Sequence, residues 1–167
     1  MDKRKTHKIF YTATLVIGFL LLALEINIYQ KTIIPISNII VVICLISVIT
    51  YVFIKNDYRN TYHYKNLLFP LIQSIFSFGF IACYIFVASN FYFAHSDIRL
   101  KSCLISSKHT IGTKNPNPAI EIDYEGITKQ LVFSTKQKEE VDTSQAVLLT
   151  IRKGFWGYDV FYDIELK

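Results

Sequence analysis

Much of what a catalytic site needs is scarce in this chain. Its 167 residues include six glycines, four prolines, three cysteines and four histidines. No Gly-rich loop is present to cradle a phosphate, and no His-Glu-x-x-His helix to hold zinc. No serine sits at a nucleophile-elbow spacing with histidine and acidic partners. His95, Cys103 and His109 share no recognisable zinc spacing. Cys103 is the lone cysteine after residue 97, so no disulfide can form within the C-terminal part. Cys44 and Cys83 fall inside apolar runs, and all three cysteines read as small buried apolar residues. These absences argue for a non-enzyme with no cofactor and no metal.

Charge is also sparse, at 19% of residues against 51% hydrophobic, and the mean hydropathy is +0.31. The apolar excess is concentrated in three runs, Ile9–Tyr29, Ile33–Ile54 and Leu67–Phe93. Each is long enough to cross an apolar core roughly 30 Å thick at about 1.5 Å per residue. The first run holds one charge, Glu25, and the other two hold none. It exceeds the apolar stretch of a signal peptide and lacks a small-x-small cleavage site, so it reads as an uncleaved first span.

The net charge of +5 is a topology signal. Residues 97–167 carry ten basic and ten acidic side chains, so the excess belongs to the first 96 residues. There it falls before the first run (Lys3, Arg4, Lys5, Lys8) and between the second and third (Lys55, Arg59, Lys65). The positive-inside rule puts both segments in the cytoplasm and the C-terminal part on the far side. Tyr58, Tyr62 and Tyr64, interleaved with the basic residues of 55–66, read as interfacial anchors and not as a nucleic-acid platform.

After residue 97 the pattern becomes that of strands. Ile98–Ile105 places Ile98, Leu100 and Leu104 on one face, and Ala119–Tyr124 alternates cleanly. Glu125-Gly126 turns into Ile127–Phe133 as a hairpin. Val147–Arg152 and Tyr158–Leu166 form a second hairpin, the latter with Tyr158, Val160, Tyr162, Ile164 and Leu166 on one face. Residues 106–118 read as a loop, and Ser134 with Gln137 has the spacing of a capping box before a short helix. The expected fold is therefore an integral membrane α+β protein. Three transmembrane helices (1–96, spans about 9–29, 33–54 and 67–93) precede an antiparallel β domain (97–167) of about five strands, a sandwich or a partly open barrel.

Two groups of residues stand out. Glu25, Asn27 and Asn38 lie at a similar outer depth on the first two helices and read as a membrane polar cluster. Lys153-Gly-Phe-Trp-Gly157 bends between two glycines and presents Phe155 and the single Trp156, with Tyr158 beside them, as partner-binding candidates. The expected function is a non-enzymatic small membrane protein of immunity or accessory type. Its extracytoplasmic β domain would bind a protein partner in the cell envelope, with the inner membrane as location and a bacterial envelope as setting. The expected surroundings are lipid bilayer and protein, without nucleic acid, and a homo-oligomer stays open. An alternative is a ligand-sensing effector whose β domain is the receptor and whose helices perturb the membrane. A third is transport involving Glu25.

Overall fold

The structure, a computed structural model, describes residues 3–63, 66–112 and 116–167. Tyr64, Lys65 and residues 113–115 of the expected loop lie outside them. Three helices, α1 (Lys3–Tyr29), α2 (Ile36–Tyr62) and α3 (Leu68–Tyr92), are each long and apolar enough to cross a membrane. Five strands follow, β1 (Ile98–Ile111), β2 (Asn117–Tyr124), β3 (Ile127–Val132), β4 (Ala146–Lys153) and β5 (Asp159–Leu166). The chain divides into two compact units. One is the chain up to Ile28 together with Ile34–Ala88; the other joins Tyr29–Ile33 to Ser89–Lys167.

In the helical unit, side chains such as Leu20, Val48 and Phe53 face outward, as lipid contact demands, and small or polar ones face inward. Gln73, Ser74, Ser77, Gly79 and Cys83 of α3 are all buried. Gln73 Nε2 donates to the Tyr11 carbonyl at 2.9 Å, and Gly18 and Gly79 let backbones approach closely. α3 is not uniform: Ile75–Gly79 forms one π turn. The hydroxyls of Ser74, just before the turn, and Ser77, within it, donate back to the carbonyls of Pro70 and Gln73, the kind of bond that bends a helix.

The helices run past the apolar stretches. α2 continues through Lys55–Tyr62, where a loop was expected, because α1 continues beside it and supplies partners. Asp57 receives His7 Nδ1 at 2.8 Å and the Tyr11 hydroxyl at 3.3 Å. Arg4 Nε donates to the Thr61 carbonyl at 3.0 Å, and the rings of Tyr11 and Tyr58 pack edge to face. His63, in left-handed conformation, ends the helix. Cys44, expected inside, is exposed.

The strands form one antiparallel half-barrel, ordered β3-β2-β1-β4-β5. β1 is its spine. Its first half pairs with β4, its second half with β2, and a bulge at Ile105/Ser107 bends it between the two. Residues 106–111, expected as loop, are strand because β2 supplies their ladder partners, Lys108 opposite Ile120 and Thr110 opposite Pro118. The Glu125-Gly126 turn forms with both residues at positive φ, as a two-residue hairpin requires. The capping box at Ser134 and Gln137 also forms and leads into the short helix Lys138–Thr143. That helix buries Val141 against Ile120, Ile122, Val147 and Leu149 in the barrel core.

One core residue comes from far away in sequence. Ile33, in the turn between α1 and α2, belongs to this core. Lys31–Ile33 lies along the free edge of β5, with Thr32 bridging Val160. The Ile33 amide donates to the Asp159 carbonyl and the Phe161 amide to the Lys31 carbonyl, both at 2.8 Å. From β3, at the opposite edge of the sheet, Lys129 Nζ reaches the carbonyls of Tyr29 (2.9 Å) and Thr32 (2.8 Å). The Tyr29–Ile33 turn is thus a strap across the seam that the five strands leave open.

Candidate functional site

β4 explains which surfaces of the half-barrel are free. Val147, Leu149 and Ile151 alternate along it and are buried, so its other face, Ala146, Leu148, Thr150 and Arg152, must point out. The ladder ties β1 to that choice: Ile98 lies opposite Arg152, Leu100 opposite Thr150, Ser102 opposite Leu148 and Leu104 opposite Ala146. The apolar face of β1 therefore looks outward. Ile98, Leu100 and Leu104 are 55%, 66% and 77% exposed, and Cys103 takes the inward place.

β5 adds to the same face through an irregularity. The register shifts after Thr150, so Phe161 turns inward beside Val160, and Tyr162 turns out. This corrects the expected alternation, in which Tyr162 shared a face with Val160. The Arg152 guanidinium lies 3.8 Å from the centre of the exposed Tyr162 ring. The result is an outer surface of three exposed aliphatics beside a stacked Arg–Tyr pair. Large apolar side chains gathered on a solvent face are uncommon in monomers, and Arg and Tyr are prominent in binding hot spots.

The hairpin tip is tied to the end of α3. Asn90, fully buried in the last turns of α3, grips it through both ends of its amide. Its Oδ1 accepts the Trp156 backbone amide at 3.0 Å, and its Nδ2 donates to the Tyr158 carbonyl at 3.2 Å. The Trp156 indole N–H donates to Ser89 Oγ at 2.8 Å. Gly154 is required here, because a Cβ would sit 2.3 Å from Asn90 Oδ1. Gly157, at φ 86°, closes the turn by donating to the Gly154 carbonyl. Phe155 and Trp156 stay about half exposed, and Tyr158 is half-buried. Asn90 escaped sequence reasoning because a single amide near the end of an apolar run looks like an interfacial residue.

The polar residues expected as a cluster on the first two helices differ in exposure. Glu25 is buried, and its Oε1 accepts the Cys83 thiol at 2.8 Å. Its Oε2 has no hydrogen-bond partner among the described residues. Asn27 is exposed and Asn38 half-buried.

Within the β domain, Tyr124 donates its hydroxyl to Asp159 at 2.8 Å, and Lys153 pairs with the same carboxylate at 3.0 Å. Burial, reinforced by that carboxylate, pushes the Tyr124 hydroxyl well above the usual phenol range. Burial alone pulls the Lys129 ammonium down to about 8. No group of three or more His, Cys, Asp or Glu side chains able to hold a metal occurs among the described residues. The barrel interior is filled by Ile120, Ile122, Leu149, Val141 and Val147. A cleft of about 410 Å³ lies outside it, between the short helix and β5, lined by Glu140, Ser144, Ile164 and Leu166 among others.

No family model, curated protein or solved structure matches this chain.

Proposed function

We propose that this is a non-enzymatic binding protein of the cytoplasmic membrane. Its helices anchor it, and its β domain, outside the cytoplasm, engages a protein partner of the envelope, as an immunity or accessory protein would. The observation that carries this reading is the outer face of β1, β4 and β5, where Ile98, Leu100 and Leu104 stand exposed beside the Arg152–Tyr162 pair. A surface of this composition fits a partner that brings its own apolar patch. The filled barrel interior favours a protein contact over a small ligand held inside the barrel.

Two observations support the orientation. The Tyr29–Ile33 turn and the strands build one compact unit, so the turn after the first crossing and the domain after the third share a side. Lys3, Arg4, Lys5 and Lys8, with Lys55 and Arg59, flank the opposite ends of the helices, and positive charge favours the cytoplasm. A reporter active only outside the cytoplasm should be active when fused after Lys167 and silent when fused after Tyr62. The reverse pattern would overturn the orientation.

For the partner, a photo-crosslinking amino acid is placed at Leu100 or Leu104 in the full chain, in intact cells. A discrete protein adduct is expected from both positions. The same residue at Glu125, exposed on the β2–β3 turn, should give none. An adduct with the mass of two chains would identify the surface as a self-contact and overturn the envelope-partner reading. Lipid-only products would overturn protein binding at this face.

A further inference from the structure

Three aromatic rings, Phe93, Phe155 and Trp156, are linked where α3 ends, and a fourth, Tyr92, directly precedes Phe93 in the chain. Tyr92 and Phe93 close the helix and are 66% and 68% exposed. Phe155 packs edge to face on Phe93, with ring centres 6.2 Å apart, and on Trp156, at 4.9 Å. All four are exposed, and the two on the hairpin tip are held in place. The indole N–H is bonded to Ser89, and the backbone of the tip is fixed to Asn90. Phe155 adds a bond from its own amide to the Asn90 carbonyl at 3.3 Å.

We propose that Tyr92, Phe93, Phe155 and Trp156 form an aromatic collar that seats in the headgroup–acyl boundary of the bilayer crossed by α3. Continuity selects this occupant. The collar begins at the last residues of an apolar helix of membrane-spanning length, with no polar segment between. Tyr and Trp are the side chains concentrated at that boundary, because each joins a large apolar ring to a polar atom. The collar's polar neighbours suit the watery side: His95 is exposed, and its amide is tied to the Lys153 carbonyl at 2.8 Å.

The collar gives the Lys153–Gly157 hairpin a purpose separate from the partner surface on β1, β4 and β5. A protein contact at the tip would favour rings that reach away from the membrane end. Here the hydrogen bonds that Trp156 donates to Asn90 and Ser89, with the one Asn90 donates to the Tyr158 carbonyl, hold the tip back against the terminus of α3. The β domain is thereby fixed to the membrane at a second place, through a turn more than sixty residues away from the helix in sequence.

Trp156 is the only tryptophan, so its emission reports this site without mutation. The purified full-length protein is reconstituted at low density into phosphatidylcholine vesicles. Separate preparations carry bromine near the carbonyl end or near the methyl end of the acyl chain. Shallow bromine is expected to remove the larger part of the emission, deep bromine much less, and aqueous iodide little. Strong quenching by iodide, with none by either bromolipid, would put the ring in water and overturn the proposal. Emission untouched by all three would put it against protein and overturn it equally. Neither result bears on crosslinking from Leu100 or Leu104, so the two readings fail independently.

Discussion

Gly18→Val should prevent the helical bundle from assembling in its native packing. A Cβ at Gly18 would lie 2.2 Å from the Phe76 carbonyl oxygen, 3.0 Å from Ser77 Cα and 3.1 Å from the Ser77 carbonyl oxygen. All three are backbone atoms, and they belong to the π turn of α3. They cannot rotate away as a side-chain end can, so α1 and α3 must separate or the π turn must rewind. Glycine inside a helix already costs about 1 kcal/mol against alanine, and the close approach explains why the chain carries it here. Overpacking a well-filled interior costs about 1–3 kcal/mol, and a clash with backbone belongs at the upper end or beyond. Gly79 is the natural comparison. There a Cβ would meet Ser47 Oγ at 2.6 Å and Ile43 Cγ2 at 3.1 Å, both side-chain atoms. Gly79→Ala should therefore be the milder change, and Ser47→Ala should partly rescue it. Thermal unfolding of purified protein in mild detergent, followed by size-exclusion profile, checks the order. A Gly18→Val protein as stable as the wild type would contradict the packing of α1 on the π turn.

The same contacts show why some of the fold is legible in the sequence and some is not. Three apolar runs and two basic segments announce the helices, because membrane solvation acts on composition and needs no partner. The Glu125-Gly126 hairpin and the Ser134–Gln137 capping box are equally local, and both form as read. What depends on distant partners reads poorly. Residues 106–111 have the composition of a loop and become strand because β2 lies beside them. Lys55–Tyr62 looks like a loop and stays helical because His7, Tyr11 and Arg4 wait on α1. The alternation of Ile98, Leu100 and Leu104 is visible in sequence, but its direction is not. The core pattern of β4 sets it through the register. Phe155 and Trp156 are conspicuous, whereas the group that fixes them, Asn90, is silent until the fold brings it to Gly154. Lys129 looks like an ordinary outward lysine on a hairpin, and its role depends on a turn about a hundred residues earlier.

That role makes Lys129→Glu the most damaging single change expected in the β domain. The Lys129 ammonium bridges β3 to the strap, donating to the carbonyls of Tyr29 and Thr32, and it lies 4.5 Å from the centre of the Tyr29 ring. A carboxylate there would face two carbonyl oxygens and the negative face of an aromatic ring. Leaving a charge largely buried without a partner costs about 3–5 kcal/mol, comparable to the whole stability margin of a small domain. The amides that join the strap to β5, those of Ile33 and Phe161, should then exchange with deuterium much faster, while those of the β2–β3 hairpin change less. Lys129→Met separates charge from shape, since it keeps the apolar stem and removes the ammonium. Its diagnostic is pH. The folded ammonium titrates near 8, against about 10.4 for an unfolded lysine. Between those values the unfolded chain holds a proton that the folded one has released, so stability must rise with pH across that window. Below pH 8 both states are protonated, and this residue contributes no slope. Wild-type thermal stability should therefore climb from pH 8 towards pH 10 more steeply than that of Lys129→Met, the difference being this one proton. Parallel curves for the two proteins would mean that Lys129 is solvated as any surface lysine, and that the strap is held by its backbone bonds to β5 alone.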